Sequence, residues 1–131
     1  MKIFIGQRVA DEYGERLIKE SRELVNILEG LGHKAYCTLC ENESLELTPK
    51  EWLEHAFKEI DKSDIFLAII RSENKSEGML MEVGYVLAKK KKFIVAIKIG
   101  VKDTYVPDFA SQVLKFKDHE DLKLKLEKIK I

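Results

Sequence analysis

Short apolar runs separated by polar segments indicate five strands along the chain. The run at residues 65–70 is unbroken and too short for a typical helix, which is typical of a central strand buried on both faces. The first run is stopped by Gly6, which predicts a loop after the first strand. By this pattern, strands are predicted at residues 3–5, 34–37, 65–70, 93–97 and 113–116.

Segments with helical periodicity lie between these strands. The sequence Thr48-Pro49-Lys50-Glu51 supplies a capping oxygen, a proline at the first helical position and a reciprocal acid, which indicate a helix start. Helices are predicted over residues 13–31, from Thr48 onwards, over residues 78–91 and near the carboxyl terminus. In the third of these helices, Leu80, Val83 and Leu87 are expected to face the sheet.

Strands that alternate with helices predict an α/β fold with a parallel sheet. We expect one domain over residues 1–131, with a single doubly wound five-stranded sheet in the flavodoxin-like order 2-1-3-4-5 and helices on both faces. Ligands of such sheets bind beyond the carboxyl ends of the strands, where the strand order reverses. That point lies between strands one and three, so a site is predicted near Gly6, Gln7, Arg8 and residues 71–82.

Composition and charge narrow the classes of partner. The chain has 23 basic and 23 acidic residues, so no overall field draws it to nucleic acid or to an anionic membrane. Its first residues run directly into a strand pattern without the features of a signal peptide, which predicts a cytoplasmic protein. No apolar run approaches the roughly 20 residues that span a bilayer. Neither a nucleic acid nor a membrane is therefore expected as a partner.

Cys37 and Cys40 have the C-x-x-C spacing of redox pairs and of some zinc sites. In a cytoplasmic chain the two cysteines are expected to be reduced. A redox pair normally opens a helix, whereas the residues from Glu41 to Leu47 resemble a loop. A zinc site needs further ligands, and no second pair is present. We therefore interpret the two cysteines as incidental.

The segment from Ser76 to Tyr85 combines groups that could act on a ligand. Ser76 places a small hydroxyl near a helix start, and Glu82 follows about one and a half turns later. Unpaired amides at a helix start favour an anion or a polar ligand group, and Gly78 would let a ligand approach the backbone closely. A carboxylate beside such a pocket can act as a nucleophile. Glu82 is therefore the candidate catalytic residue.

The pattern Ser76-x-Gly78-x-x-x-Glu82-x-Gly84-Tyr85-x-x-Ala88, preceded by Ser63-Asp64 and an apolar strand, resembles the nucleoside 2-deoxyribosyltransferase family. That family includes the 2'-deoxynucleoside 5'-phosphate N-hydrolases. The resemblance implies that Glu82 attacks the anomeric carbon of a nucleoside or nucleoside 5'-monophosphate and forms a glycosyl-enzyme intermediate. It implies that Ser76 contacts the sugar or phosphate, that no metal or cofactor is required, and that the chain forms a homo-oligomer.

The resulting interpretation places Glu82 as nucleophile, Ser76 and the backbone at Gly78 at the sugar, and the segment Gly6-Gln7-Arg8 across the pocket. Two alternatives remain open. One is a non-catalytic nucleotide-binding or sensing domain, because Ile3 stands where the family often has a tyrosine in the first strand. The other is a TIR-like domain that cleaves the glycosidic bond of NAD. Trp52 is interpreted as a packing residue.

Overall fold

The computed structural model of the protein describes residues 1–8, 14–41 and 47–131. These residues form strands β1 (Lys2–Gln7), β2 (Lys34–Tyr36), β3 (Ile65–Ile70), β4 (Lys92–Lys98) and β5 (Gln112–Phe116). They also form helices α1 (Glu15–Gly30), α2 (Thr38–Glu41), α3 (Pro49–Asp61), α4 (Glu77–Ala88) and α5 (His119–Glu127), and a short 3-10 helix at Val106–Phe109. Among the described residues, no helix is both long and apolar enough to cross a lipid bilayer.

The five strands form one sheet in the order β2-β1-β3-β4-β5, and every neighbouring pair is parallel. The predicted flavodoxin-like α/β fold is therefore confirmed. The central strand β3 spans Ile65–Ile70, as predicted, and all six of its side chains are buried. It lies between β1 and β4, so the strand order reverses between β1 and β3.

Helices cover both faces of the sheet and produce two apolar cores. On one face, Leu24 and Leu28 of α1 pack with Leu122 and Leu126 of α5 against alternate residues of the strands. On the other face, α3 and α4 pack against the remaining strand residues, among them Phe4, Phe66 and Phe93. Successive strand residues point to opposite faces, which assigns alternate residues to the two cores. Burial on both faces explains why β3 and the central residues of β1 and β4 are apolar without interruption.

The predicted start of α3 is confirmed in detail. Thr48 Oγ1 accepts a hydrogen bond from the backbone N–H of Glu51, and Glu51 Oε1 accepts one from the backbone N–H of Thr48, each at 3.2 Å. This reciprocal pair satisfies two amides that the first helical turn leaves unpaired. It begins α3 at Pro49, at the same end of the sheet as the carboxyl end of β1.

The predicted end of the next helix was wrong. The pattern extends it to residue 91, whereas α4 ends at Ala88 with Lys89 as its cap. Lys90 follows with φ of 56°, and the backbone N–H of Lys91 donates to the carbonyl of Val86. This left-handed turn usually contains glycine or asparagine, so a lysine there carries no stop signal.

Candidate functional site

A cleft of about 600 Å³ lies at the end of the sheet where α3 and α4 begin. It is the position that the strand order predicts, beyond the carboxyl end of β1. Its lining includes Gln7 from β1, Lys50, Trp52 and Leu53 from α3, and Ser76, Gly78, Met79, Met81 and Glu82 from the start of α4. The structure therefore brings four of the six candidate residues together: Gln7, Ser76, Gly78 and Glu82.

Ser76 fixes where α4 begins. Its backbone is extended, and its Oγ accepts a hydrogen bond from the backbone N–H of Met79 at 3.1 Å. Capping by Ser76 leaves other amides of the first turn without helical partners at the cleft, where they can bind polar or anionic groups. At Gly78, a methyl group in place of the α-hydrogen would come no closer than 3.9 Å to any neighbouring atom, that of Ser76 Oγ. The absence of a side chain at Gly78 is therefore not required by packing and leaves the backbone accessible from the cleft.

Glu82 lies on the buried face of α4, although the sequence pattern placed other residues there. The buried residues of this helix are Met79, Glu82, Val83 and Val86, whereas Leu80 and Leu87 are exposed. The prediction that Leu80 and Leu87 face the sheet was therefore wrong, and Val83 is the one of the three that does. Since both faces of α4 carry apolar side chains, periodicity does not define which face is buried.

The surroundings of Glu82 disfavour its charged form. Its side chain is 7% exposed, and no hydrogen bond joins its carboxylate to another residue that the structure describes. Burial, with a smaller effect from the negative charge of Cys37, raises the pKa of Glu82 to about 8. A buried carboxylic acid without a protein partner destabilises the fold, and such groups are concentrated at functional sites. Glu82 is therefore oriented towards the cleft and available to a ligand.

Gln7 connects the cleft to the interior through a chain of hydrogen bonds. Its Nε2 donates to Ser21 Oγ at 2.7 Å, and its Oε1 accepts from Arg71 Nη1 at 2.7 Å. Ser21 Oγ in turn donates to the carbonyl of Leu17. These partners hold the amide of Gln7 in one orientation at the carboxyl end of β1. Sequence reasoning located Gln7 and the 71–82 segment but gave no reason to pair Gln7 with Arg71.

Gly6 has a packing role. A methyl group at Gly6 would lie 2.3 Å from Cζ of Phe66, so the ring of Phe66 occupies the space that a side chain would need. Gly6 lines a small cavity next to the cleft, together with Gln7, Cys37, Thr38 and Glu82. Its contact with a substrate stays a prediction.

Arg8 is half-buried and lies outside the set of described residues that line the cleft. Its contact with a substrate also stays a prediction. The segment from Gly6 to Arg8 continues into residues 9–13, which lie outside the described part of the chain. The proposed closure of the pocket by this segment is therefore tested only as far as Gln7, which does line the cleft.

Two groups at the site were missed by sequence reasoning. Trp52, interpreted as a packing residue, lies on the wall of the cleft and of the adjoining cavity. Trp52 directly follows the capping-box glutamate, which places it in the first turn of α3, near the carboxyl ends of the strands. Cys37 directly precedes the helical turn α2, which contains Cys40, whereas the loop predicted from Glu41 to Leu47 lies mostly outside the described residues. The expectation that this pair opens no helix was therefore wrong.

No protein-family model matches the sequence, and no curated protein matches it significantly. Solved structures do match. A CMP N-glycosidase from Clostridium botulinum superposes with a TM-score of 0.72 at 17% identity, over 97% of this chain and 98% of that chain. A 2-deoxyribosyltransferase from Bacillus psychrosaccharolyticus gives 0.69 at 18% identity, over 94% and 90% of the two chains. A 2-desoxiribosyltransferase from Leishmania mexicana gives 0.67 at 11% identity, over 96% and 97%.

These likenesses extend over nearly the full length of both chains in each pair. At identities of 11–18% they establish a shared fold. Fold alone does not define chemistry, because one α/β architecture carries many unrelated activities. The class that the fold defines is thus an α/β domain of the kind found in N-glycosidases and deoxyribosyltransferases, and an activity has to be argued from Glu82 and its cleft.

Proposed function

We propose that this protein belongs with the nucleoside 2-deoxyribosyltransferase-like enzymes and cleaves or transfers the N-glycosidic bond of a nucleoside or nucleoside 5'-monophosphate. The observation that carries the proposal is the buried carboxyl group of Glu82 on the wall of the cleft, which has no hydrogen-bond partner among the described residues. The likeness to a CMP N-glycosidase and to two deoxyribosyltransferases supports the choice of substrate class. The proposed substrate is a small molecule, and the reaction requires no cofactor.

The proposed reaction has two steps. In the first, a carboxylate oxygen of Glu82 bonds to the anomeric carbon of the sugar, and the N-glycosidic bond breaks with its electron pair leaving on the base. In the second, water or another base attacks the same carbon and its proton passes to the released base, while the ester bond to Glu82 breaks and returns the carboxylate. A carboxylate close to the anomeric carbon stabilises the oxocarbenium-like transition state and then traps it as an ester. The retained configuration that two displacements produce is a further expectation.

The remaining lining suits the two ends of such a substrate. Ser76 and the backbone at Gly78 provide polar groups for the sugar or its phosphate at the start of α4. Trp52, Leu53 and Met79 provide an apolar wall for a flat base, and an indole ring can stack on any base. Gln7, fixed by its hydrogen bonds, supplies an amide between them.

We further propose that the active form is a homo-oligomer in which a second copy covers α4. The outward face of this helix carries Leu80, Met81, Gly84 and Leu87, all exposed. From Gly78 to Ala88 the one charged residue is Glu82, which is buried. A helix that is apolar on its solvent face as well is normally covered. Met81 also lines the cleft, so a copy packed on this face would border the substrate.

The proposal is tested by incubating the protein with nucleosides, nucleoside 5'-monophosphates including CMP, and NAD, and measuring free base by chromatography. We compare the wild type with Glu82→Gln, which keeps the shape of the side chain without a nucleophilic charge. Glu54→Gln is the matched control, because Glu54 is exposed on α3 and outside the cleft lining. We expect base release by the wild type and the control, and a loss of at least about 10³-fold in Glu82→Gln.

Other outcomes separate the alternatives. Equal release by Glu82→Gln would contradict the role of Glu82 as nucleophile. Release from NAD alone would favour the TIR-like glycohydrolase. If no substrate releases base while calorimetry detects nucleotide binding, the domain is a binding or sensing module. A trapped intermediate gives independent support: intact-mass analysis of acid-quenched reactions should show one added sugar on the wild-type chain and none on Glu82→Gln.

A further inference from the structure

Cys37 and Cys40 lie beside the cleft and have no part in the proposed glycosidic chemistry. Cys37 directly follows β2 and is 2% exposed, whereas Cys40 lies on α2 and is partly exposed. The backbone N–H of Cys40 donates to the carbonyl of Cys37 at 3.0 Å, so the chain turns tightly between them. Within this turn, a side-chain hydrogen bond with Cys40 is the largest of the effects that lower the pKa of the Cys37 thiol. The two thiols are therefore neighbours in the folded protein, and neither forms a disulfide.

Several donors converge on the sulfur of Cys37. They are the thiol of Cys40, the backbone amides of Cys40 and Leu39, and Nε2 of Gln7 at 3.4 Å. Each donor stabilises the thiolate more than the thiol. Burial acts in the opposite direction, but the donors prevail and lower the pKa of Cys37 below its usual range, with the Cys40 thiol the largest cause. These donors favour the thiolate of Cys37, while its burial leaves the partly exposed thiol of Cys40 as the one that a small molecule can reach.

The composition of the cluster favours a dithiol over a metal site. A structural zinc ion takes four ligands, and a catalytic one takes three from the protein. Within the described residues, no group of three or more cysteine, histidine, aspartate or glutamate side chains is placed to hold a metal. Two neighbouring thiols at positions three apart in one tight turn instead suit a disulfide, which joins residues that are already close in the fold.

We propose that Cys37 and Cys40 form a site of thiol–disulfide exchange with low-molecular-weight disulfides such as oxidised glutathione. The partly exposed thiol of Cys40 transfers its proton to the thiolate of Cys37 and attacks one sulfur of the small disulfide, releasing a first thiolate. Cys37 then loses its proton to a released thiolate and attacks the sulfur of Cys40, releasing the second. The protein pair is oxidised to one disulfide, and the small disulfide is reduced to one thiol, which has taken the proton, and one thiolate, which is protonated by water. This exchange does not depend on the proposed glycosidase activity.

Gln7 would transmit this change to the cleft. Its Nε2 donates both to the sulfur of Cys37 and to Ser21 Oγ, and its side chain lines the cleft with Glu82. Cys37 and Glu82 also border the same small cavity, where the hydroxyl of Thr38 is buried with no hydrogen-bond partner in the part of the chain that the structure describes. When Cys37 and Cys40 form a disulfide, the thiolate of Cys37 is lost as a hydrogen-bond acceptor for Gln7 and as a negative charge in this cavity.

The test incubates the native protein in buffers with increasing ratios of oxidised to reduced glutathione, followed by acid quenching, alkylation of free thiols and intact-mass analysis. We expect the wild type to reach a species that has lost two hydrogen atoms, carries no glutathione and has no alkylatable thiol. The Cys37→Ser variant lacks the resolving thiol and should accumulate a mixed disulfide at Cys40. The Cys40→Ser variant should keep an unmodified Cys37, because that sulfur is buried.

The wild-type measurement decides the question even if a buried substitution at Cys37 prevents folding. The proposal is overturned if the native wild type retains two alkylatable thiols, or stops at a mixed disulfide, in buffers where the urea-unfolded chain forms the Cys37–Cys40 disulfide. Circular dichroism on the same samples establishes that the oxidised species is folded. Exchange seen with Glu82→Gln as well as the wild type would show that it is independent of the glycosidic chemistry.

Discussion

Ionisation of Glu82 should make the protein without a bound substrate less stable as the pH rises. Burial raises its pKa from the ordinary value of 4.5 to about 8. Between these values the folded chain keeps a proton that the unfolded chain has released, so the free energy of unfolding falls with increasing pH. The loss is about 1.4 kcal/mol for each pH unit and ends near the folded-state pKa. Below about pH 4.5 both states hold the proton and the effect disappears.

The Glu82→Gln substitution removes this titration while it preserves the volume of the side chain. Relative to the wild type, the variant should gain about 4 kcal/mol in free energy of unfolding between about pH 5 and about pH 9. That is a large share of the roughly 5–15 kcal/mol typical of a domain. The assay is urea unfolding followed by circular dichroism at several pH values. Glu54→Gln is the control, since it makes the same substitution at an exposed position on α3 outside the cleft lining.

A pH-independent difference between wild type and Glu82→Gln would refute this reasoning. It would mean that the carboxyl group titrates alike in the folded and unfolded chains, which is incompatible with an unpaired carboxyl group that is 7% exposed. The same ionisation should control catalysis, because only the carboxylate can attack the anomeric carbon. For the substrate identified by base release, kcat/KM should therefore rise with pH below about 8 and level above it, as expected for an essential base of the free enzyme.

Three further predictions test packing, capping and assembly. Gly6→Ala places a methyl group 2.3 Å from Cζ of Phe66 and should lower the free energy of unfolding by about 1–3 kcal/mol in urea titrations. Adding Phe66→Leu should recover part of this loss, and an unchanged free energy of unfolding in Gly6→Ala would contradict the packing role. Ser76→Gly should cost only a few tenths of a kcal/mol in urea titrations but slow base release, whereas unchanged kinetics would remove Ser76 from the substrate site. If the proposed homo-oligomer forms, Leu87→Glu should convert it to a monomer in analytical ultracentrifugation, while Leu124→Glu, at an exposed leucine on α5, should leave it intact. Identical profiles for the two variants would argue against an interface on α4.

The elements that sequence reasoning located most accurately are those with a local physical cause. The strand at Ile65–Ile70 is buried on both faces, so an unbroken apolar run marks it. The start of α3 depends on hydrogen bonds within the segment Thr48-Pro49-Lys50-Glu51, which the residues themselves specify. The switch point between β1 and β3 then follows from the alternation of strands and helices. The position of the cleft was predictable for these reasons.

The details inside the cleft depend on contacts between distant residues and were not predictable from local pattern. Met79 and Val86 of α4 are buried while Leu80 and Leu87 are exposed, although all four are apolar. The Arg71–Gln7 hydrogen bond joins residues 64 positions apart. The Gly6–Phe66 contact likewise joins neighbouring strands, so Gly6 resembled a loop signal in the sequence. In each case tertiary packing decided the outcome, and periodicity held no information about it.

The raised pKa of Glu82 and its proposed role as a nucleophile have the same physical origin. Without a substrate, low solvent access disfavours the ionised form of Glu82 and keeps the proton on its carboxyl group. When positive charge develops on a sugar held against Glu82, the same low solvent access strengthens the attraction between that charge and the carboxylate. The free energy that destabilises the ionised empty protein would thus be recovered in the transition state. The proposed role in the transition state accounts for a glutamate at position 82, on a helix face that is otherwise apolar and buried.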